Sequence, residues 1–203
     1  MAITFDMTVQ ATNGGSVTTT SCTATCSGVD RYVFVMVHLS AVVTSPTATY
    51  GGVSMTLLSN LANGTRSVLI FGLVNPLTGA QTVVVSWTGA AGCNMNVVSY
   101  NGVDQTSPLG TPATATGTST TASVGVFGVL GDLTFSCLRS ASAFTPNQTQ
   151  RYNNATPNGG SSDVWPNAGT MTMSWVVGVS AAWAIYGVSL HAIKSSAFFE
   201  MFD

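Results

Sequence analysis

The chain has 203 residues, of which only 6% are charged: five Lys and Arg and seven Asp and Glu, for a net charge of −2. An average soluble domain has about 25% charged residues, so this surface must be built mainly from Thr, Ser, Asn, Gln and Gly. The composition excludes a basic face for nucleic acid, a polybasic membrane anchor and an acidic tail, and it leaves few groups for catalysis.

Short strands are predicted along the first half of the chain. Thr and Val favour strands because a branched Cβ suits a pleated sheet. Residues 31–39 (RYVFVMVHL) are apolar on both faces, which predicts a central strand covered on both sides. Gly51 and Gly52 predict a two-residue hairpin turn. The predicted strands here are residues 3–9, 16–25, 31–39, 47–50, 53–58, 66–74, 81–88 and 95–101.

The second half continues this pattern with two ambiguous segments. Residues 111–121 are a low-complexity stretch of Ala, Thr, Gly and Ser, which is either a polar edge strand or a loop. Residues 171–193 carry no charge and are long enough to cross a membrane, but apolar and polar residues alternate there, which favours two strands. Residues 144–167 are rich in turn residues and are predicted to be irregular. The remaining predicted strands are residues 122–129, 132–142, 170–177 and 182–193.

Together these elements predict an all-β fold. We expect a single two-sheet antiparallel β-sandwich, jelly-roll-like, with about eleven to thirteen short strands. No linker or internal repeat is evident, so one domain is expected over residues 1–193, followed by an apolar tail over 194–203. Residues 1–6 lack the cationic and then apolar stretch of a secretory signal. Either a leader was removed or the chain is not exported by that route.

Four cysteines stand at positions 22, 26, 93 and 137. On a straight strand Cys22 and Cys26 would lie about 13 Å apart, whereas a disulfide needs Cα atoms within about 7 Å. Such a pair without a second cluster is a weak zinc signal. Cys93 and Cys137 lie in apolar strands, as buried thiols do. Free thiols, one disulfide, and intermolecular bonding or a metal are the alternatives.

Several short motifs occur in a fixed order along the chain. They are YGGVSMT at 50–56, FGLVNP at 71–76, YNGVDQTSPLG at 100–110, GDL at 131–133, QTQRY at 148–152 and WAIYGVSL at 183–190. In this order they resemble a poorly characterised family of jelly-roll-like β-sandwich domains in bacterial surface or secreted proteins and in phage structural proteins. The resemblance covers residues 3–193. It implies a non-enzymatic, surface-exposed role and brings no catalytic residues.

Motifs for catalysis are missing from the sequence. There is no G-x-S-x-G, H-E-x-x-H, P-loop or G-x-G-x-x-G motif, and Ser189 and His191 would merely be neighbours on one strand face. The Asp side chains fall mostly beside turn residues, where they bond backbone amides. We therefore expect no enzyme activity. A structural calcium ion is the one cofactor the sequence suggests, with Asp6 and Asp132 as its first candidate ligands.

Exposed aromatic side chains are needed for a glycan-binding face. Tyr50, Tyr152 and Trp165 lie in or beside predicted loops that are rich in polar residues, which makes them the candidates for such a face. Alternatively, Trp165 plugs the end of the sandwich under a long loop.

The C-terminal tail is the candidate for docking to a partner. Four large apolar side chains crowd into its last six residues: Phe198, Phe199, Met201 and Phe202. A contiguous apolar patch attracts partners, and aromatic and Met side chains are common interface anchors. The tail docks onto a neighbouring copy or a particle, folds back over its own sandwich, or frays.

These observations lead to one function hypothesis and one alternative. The first is a structural protein displayed on the surface of a phage virion, as a head decoration or cement protein or as a fibre or spike component. Its partners would be copies of itself and other virion proteins, with no nucleic acid and no membrane span. The alternative is an extracellular carbohydrate-binding or adhesion module that binds surface glycans.

Overall fold

The structure is a computed structural model that describes residues 2–155, 157–165 and 168–194. Over these residues the chain forms thirteen β-strands and no helix, and so no described helix is long and apolar enough to cross a membrane. The first seven strands are β1 (Thr4–Cys26), β2 (Tyr32–Leu39), β3 (Thr44–Tyr50), β4 (Val53–Ser54), β5 (Thr56–Asn63), β6 (Arg66–Val74) and β7 (Gly79–Asn101). The others are β8 (Ala113–Gly128), β9 (Leu133–Ser140), β10 (Phe144–Pro146), β11 (Thr149–Ala155), β12 (Asn158–Val164) and β13 (Gly169–Leu190).

The strands form two antiparallel sheets. The first has the order β4-β3-β7-β2-β6-β5, with β1 along the other side of β7. The second has the order β10-β13-β9-β12-β11, with β8 along the other side of β13. The prediction of an all-β fold with two antiparallel sheets is confirmed.

The long strands of the first sheet bend so that the sheet packs against itself. Val85 in the first half of β7 and Met95 in its second half belong to the same buried cluster, the first core. The pairing of β1 with β7 changes register between Asn13 and Val17. Such bulges bend and twist a strand, and this one lets both halves of β7 face one core.

The second sheet bends in the same way. Trp175 and Ile185 of β13 belong to one buried cluster, the second core, although ten residues separate them along the strand. The register of β13 against β8 shifts between Val176 and Ala181. Each sheet therefore has an outer half and an inner half around its own core.

A third cluster, the shared core, joins the inner halves of the two sheets. Phe34 of β2 stacks on Phe135 of β9, with ring centroids 4.3 Å apart and planes 6° apart. Alternate residues of β2 face the first core and the shared core, and the whole strand is buried. The prediction of a central strand covered on both sides, made for residues 31–39, is confirmed for Tyr32–Leu39.

Both sheets have the same chain connectivity. Strands β1, β2, β3, β5, β6 and β7 correspond in order to β8, β9, β10, β11, β12 and β13, and each has the same sheet neighbours as its counterpart, except that β3 also pairs with β4, which has no counterpart. The correspondence extends to a bulge: the ladder of β5 with β6 shifts between Leu57 and Ser59, and that of β11 with β12 between Gln150 and Tyr152. The fold thus contains a structural repeat that the sequence does not reveal.

Three local predictions have clear outcomes. Gly51 and Gly52 form the hairpin turn between β3 and β4, with φ of 55° and 81°. Residues 171–193 are strand rather than membrane helix, since β13 covers most of them. The prediction that residues 144–167 are irregular is wrong, because β10, β11 and β12 occupy most of this segment.

Candidate functional site

The three aromatic candidates for a glycan platform differ in exposure. Tyr50 is fully buried, and its hydroxyl donates to the Ala24 carbonyl at 3.4 Å. Tyr152 is 5% exposed, donates to Asn94 and stacks on a histidine ring. These contacts correct the expectation for the two tyrosines, since neither offers a ring face to solvent. Trp165, 48% exposed, is the one of the three within reach of a ligand.

Asp6 and Asp132 have separate sets of partners. Asp6 accepts hydrogen bonds from the Ser27 N–H at 3.0 Å and the Ser99 hydroxyl at 2.7 Å. Asp132 is buried and accepts from the Val129 N–H at 3.0 Å. The described ranges contain no group of three or more His, Cys, Asp or Glu side chains placed to hold a metal ion. The calcium prediction therefore rests on the sequence alone.

Asp132 also lies beside His191, with Oδ2 and Nδ1 3.0 Å apart. The Nε2 side of this ring lies against Gly110, as does the Ser189 hydroxyl. The three side chains line one small cavity of about 230 Å³. However, no hydrogen bond joins Ser189 to His191, and the buried Ser189 Oγ has no partner among the described residues. The structure thus brings an Asp–His pair together without an activated nucleophile.

A partly buried ion pair lies in the segment that the sequence predicts to be irregular. Arg151 Nε lies 2.6 Å from Asp163 Oδ2, and the Tyr100 hydroxyl donates to the same oxygen at 2.6 Å. Burial, reinforced by the Asp163 charge, raises the pKa of Tyr100 well above its usual range. This network connects β7 of the first sheet to β11 and β12 of the second. We assign it a structural role.

The cysteines and the tail complete the predicted sites. All four cysteines are free thiols, the first of the alternatives open from the sequence. Burial raises the pKa of Cys22 to about 11 and raises that of Cys137 further, so neither thiol is poised for nucleophilic or metal chemistry. The four docking candidates of the tail, at 198, 199, 201 and 202, lie outside the described residues.

Two sheet edges are long and lack any further strand. Among the described strands, β1 pairs only with β7, and β8 pairs only with β13. These edge strands have 23 and 16 residues. An edge strand presents unpaired N–H and C=O groups that can pair with another chain. Most proteins shield such edges with charges, prolines or short strands.

Neither long edge carries this protection along most of its length. β8 contains no charged residue and no proline, and β1 contains only Asp6. The outward side chains of β8 form an almost continuous polar row: Thr114, Thr116, Thr118, Thr120, Thr121 and Ser123. Bulges in β1 interrupt its ladder near Phe5 and between Asn13 and Thr19. β8 is therefore the more regular of the two edges.

The remaining edges differ from these two. β4 has two residues, and the three-residue β10 ends in Pro146. β11 carries Arg151, and β5 is eight residues long with a bulge after Leu57. Short length, proline, charge and bulges are the usual means of preventing edge pairing. The protein therefore protects its short edges. Of the two long edges, β8 has no charge and no proline, and β1 has only Asp6 and its bulges; both are open in the sense that no further described strand pairs with them.

The two open edges lie at opposite margins of the molecule. Asn63 at the end of β5 donates to the carbonyl of Gly117 in β8 at 2.8 Å. Asn154 in β11 donates to the hydroxyl of Thr12 in β1 at 3.0 Å. Each sheet thus lies with its short edge over the long edge of the other. β1 and β8 have corresponding positions in their two sheets, and they therefore lie on opposite sides of the molecule.

The sequence signal for this site was partly visible. The low-complexity stretch 111–121 was predicted to be an edge strand or a loop, and it forms the first part of β8. The sequence does not predict the other long edge, β1, as one strand, because residues 3–9 and 16–25 resemble two separate strands.

Comparisons of the chain with protein-family models, with curated proteins and with solved structures find no match.

Proposed function

We propose that this protein is a non-enzymatic structural protein, displayed on the surface of a phage particle, whose copies associate through their open sheet edges. The observation that carries the proposal is the pair of long edges, β1 and β8, which lack charge over almost all of their length. The ordered motifs that resemble phage structural proteins support the particle as the place of display.

Edge pairing is favoured by hydrogen bonding. Every second residue of an antiparallel edge strand points both its N–H and its C=O outward, so β8 offers about eight such residues. Each hydrogen bond between two chains contributes roughly 0.5–1.5 kcal/mol net. Rows of Thr side chains also pair well across strands. A small net charge of −2 leaves little repulsion between copies.

The opposite placement of the two edges determines the kind of assembly. A β1 edge of one copy that pairs with a β8 edge of the next forms a heterologous interface. Repetition of such an interface gives a ring where the rotation closes, and an open filament where it does not. Both outcomes suit a protein that covers a surface in many copies.

Two lysines on the β8 edge test the proposal. In Thr116→Lys/Thr118→Lys, two charges stand on the open edge, where a partner strand would partly desolvate them. We expect association to weaken at least about tenfold, equivalent to 1.4 kcal/mol, while the circular dichroism spectrum and the thermal midpoint of the single chain stay unchanged. Sedimentation velocity over a concentration series measures the shift toward the 20.8 kDa monomer.

The matched control places the same two charges on an inner strand. Thr82 and Thr88 are exposed residues of β7, which has neighbouring strands on both sides, so Thr82→Lys/Thr88→Lys should associate like the original protein. If the two double variants weakened association equally, the added charge and not its position on the edge would be responsible, and the proposal of edge pairing would be overturned. A protein that is monomeric at all concentrations and binds glycans through Trp165 would instead favour the adhesion-module alternative.

A further inference from the structure

A cleft lies where the bends of the first sheet meet the end of β9 and the turn between β11 and β12. Its volume is about 400 Å³ and it is open to solvent. Two of the chain's five Lys and Arg residues line it: Arg66 at the start of β6 and Arg139 near the end of β9. The rest of the lining is small or polar, including Ser16, Ser40 and Asn158.

Arg139 is a buried cation held in a fixed position. Its side chain is 4% exposed. Nε donates to the Leu39 carbonyl at 3.1 Å, and Nη1 donates to the Asn158 carbonyl at 2.8 Å and to the Ser140 carbonyl. Nη2 has no hydrogen-bond partner in the described part of the chain. Three carbonyls thus fix the guanidinium and leave one of its nitrogens for a ligand.

Among the described residues, no carboxylate forms an ion pair with either arginine. The only acid–base ion pairs of the described residues are Arg151 with Asp163 and His191 with Asp132, and none of the cleft's lining residues is acidic. Among the described residues, the Arg66 side chain forms neither a hydrogen bond nor an ion pair. Burial, together with the charge of Arg66, lowers the pKa of Arg139 to about 10, which is the expected sign for two unneutralised cations.

A buried charge without a counter-charge is costly, and proteins normally pair it. Arginine stays protonated under ordinary conditions, so it cannot escape this cost by losing its proton. Its planar set of donors matches carboxylate and phosphate oxygens. The two arginines therefore provide the charge and the donors to bind an oxyanion, such as a carboxylate or a phosphate.

We propose that the two-arginine cleft binds the oxyanion group, carboxylate or phosphate, of a small ligand. Arg139 provides a preorganised Nη2 donor on the inner wall, and the half-buried Arg66 closes on the other side of the anion. The Ser16 hydroxyl lines the cleft, and the Ser40 hydroxyl, whose oxygen accepts from the Gly92 N–H at 2.9 Å, can still donate its proton to the remainder of the ligand. A volume of about 400 Å³ lies at the lower end of small-molecule sites and suits a ligand the size of an acidic monosaccharide.

Titration calorimetry at low ionic strength tests this with three probes: inorganic phosphate, glucuronate and neutral glucose. We expect saturable binding of at least one anion, competition by added salt, and no binding of glucose. Arg66→Gln should weaken the binding of the anion at least about tenfold. Because Arg66 has no bonded partner among the described residues, this variant should fold normally and be as stable as the original protein, or more stable, without ligand.

Lys194→Gln provides the matched control, since it removes one exposed cation outside the cleft and should leave the affinity unchanged. Tighter binding of glucuronate than of phosphate would identify a carboxylated sugar as the ligand class, and the reverse order would identify a phosphate. Absence of binding by both anions up to about 10 mM, or equal losses in the two variants, would overturn the proposal. None of these outcomes depends on edge association, which sedimentation measures separately.

Discussion

Gly159→Ala should destabilise the fold by about 3 kcal/mol or more, the upper range of overpacking in a closed core. A Cβ at this position of β12 would overlap with Cγ, Cδ2 and Nδ1 of His38. The ring cannot easily move aside, because His38 is fully buried and stacks on Tyr152 with centroids 6.0 Å apart. Gly159 does not have a positive φ, so the effect is steric rather than a matter of backbone strain.

Chemical denaturation of Gly159→Ala and of Gly178→Ala measures this effect. A Cβ at Gly178 would meet only the Ala143 carbonyl, at an ordinary 3.5 Å, so this control should lose little stability. Truncating the ring should relieve the overlap, and His38→Ala/Gly159→Ala should lose less than the sum of the two single changes. Additive losses, or an unchanged Gly159→Ala midpoint, would contradict the packing described.

Acid should destabilise the protein through His38. Burial, with a further contribution from Arg139, lowers the pKa of His38 to about 3, and neither ring nitrogen has a partner among the described residues. In the unfolded chain this histidine titrates near its usual pKa of about 6.5. Between these two values the unfolded state binds a proton that the native state does not.

The sign of the linkage follows from this difference. Where the unfolded state binds more protons, the free energy of unfolding falls as the pH falls. The contribution of His38 is therefore complete above about pH 6.5 and is lost progressively down to about pH 3, at roughly 1.4 kcal/mol per pH unit. At pH 4.5 the loss should be about 2–3 kcal/mol.

His38→Leu isolates this contribution, because leucine has a similar volume and no proton to bind. Urea unfolding at pH 7 and pH 4.5 should show a smaller loss for the variant than for the original protein, by about 2–3 kcal/mol. Carboxylates that titrate in the same range affect both proteins alike. Parallel pH profiles for the two would show that His38 is protonated in the folded state, contrary to the prediction.

The sequence was sufficient for the fold class because alternation is a local signal. Residues 81–88 alternate with a period of two, and the segment RYVFVMVHL is apolar on both faces; both signals survive in the structure. The sequence does not predict a long strand that continues through a bend. Gly89 and Gly92 resemble the end of one strand and the approach to another, yet here they lie at a bend inside β7.

The sequence fails to predict the strands in residues 144–167 for a different reason. β12 reads NGGSSDV, a sequence typical of a loop, yet Ser161 and Ser162 are completely buried. Small residues are required there because bulky side chains of other strands, such as His38 of β2 and Phe144 of β10, lie against Gly159 and Gly160. Such a requirement comes from tertiary contacts, so local propensity cannot reveal it.

The two-arginine cleft was equally hidden. Arg66 and Arg139 are 73 positions apart in the sequence, and neither belongs to a recognisable motif. Only the stacking of one sheet on the other brings them into one cavity. Burial of Arg139 then converts an ordinary surface cation into a candidate ligand-binding group.

The pairing of β1 with β7 also determines when the protein can fold during its synthesis. Val9 pairs with Val97, and Thr114 of β8 pairs with Tyr186 of β13, so each sheet's first strand must wait for its last. Contacts so distant along the chain slow folding, and a nascent chain adds only about 5–20 residues per second. The β1 segment, whose single charged residue is Asp6, consequently leaves the ribosome without a partner for several seconds, and during this time neighbouring nascent chains or a chaperone compete with β7 for it.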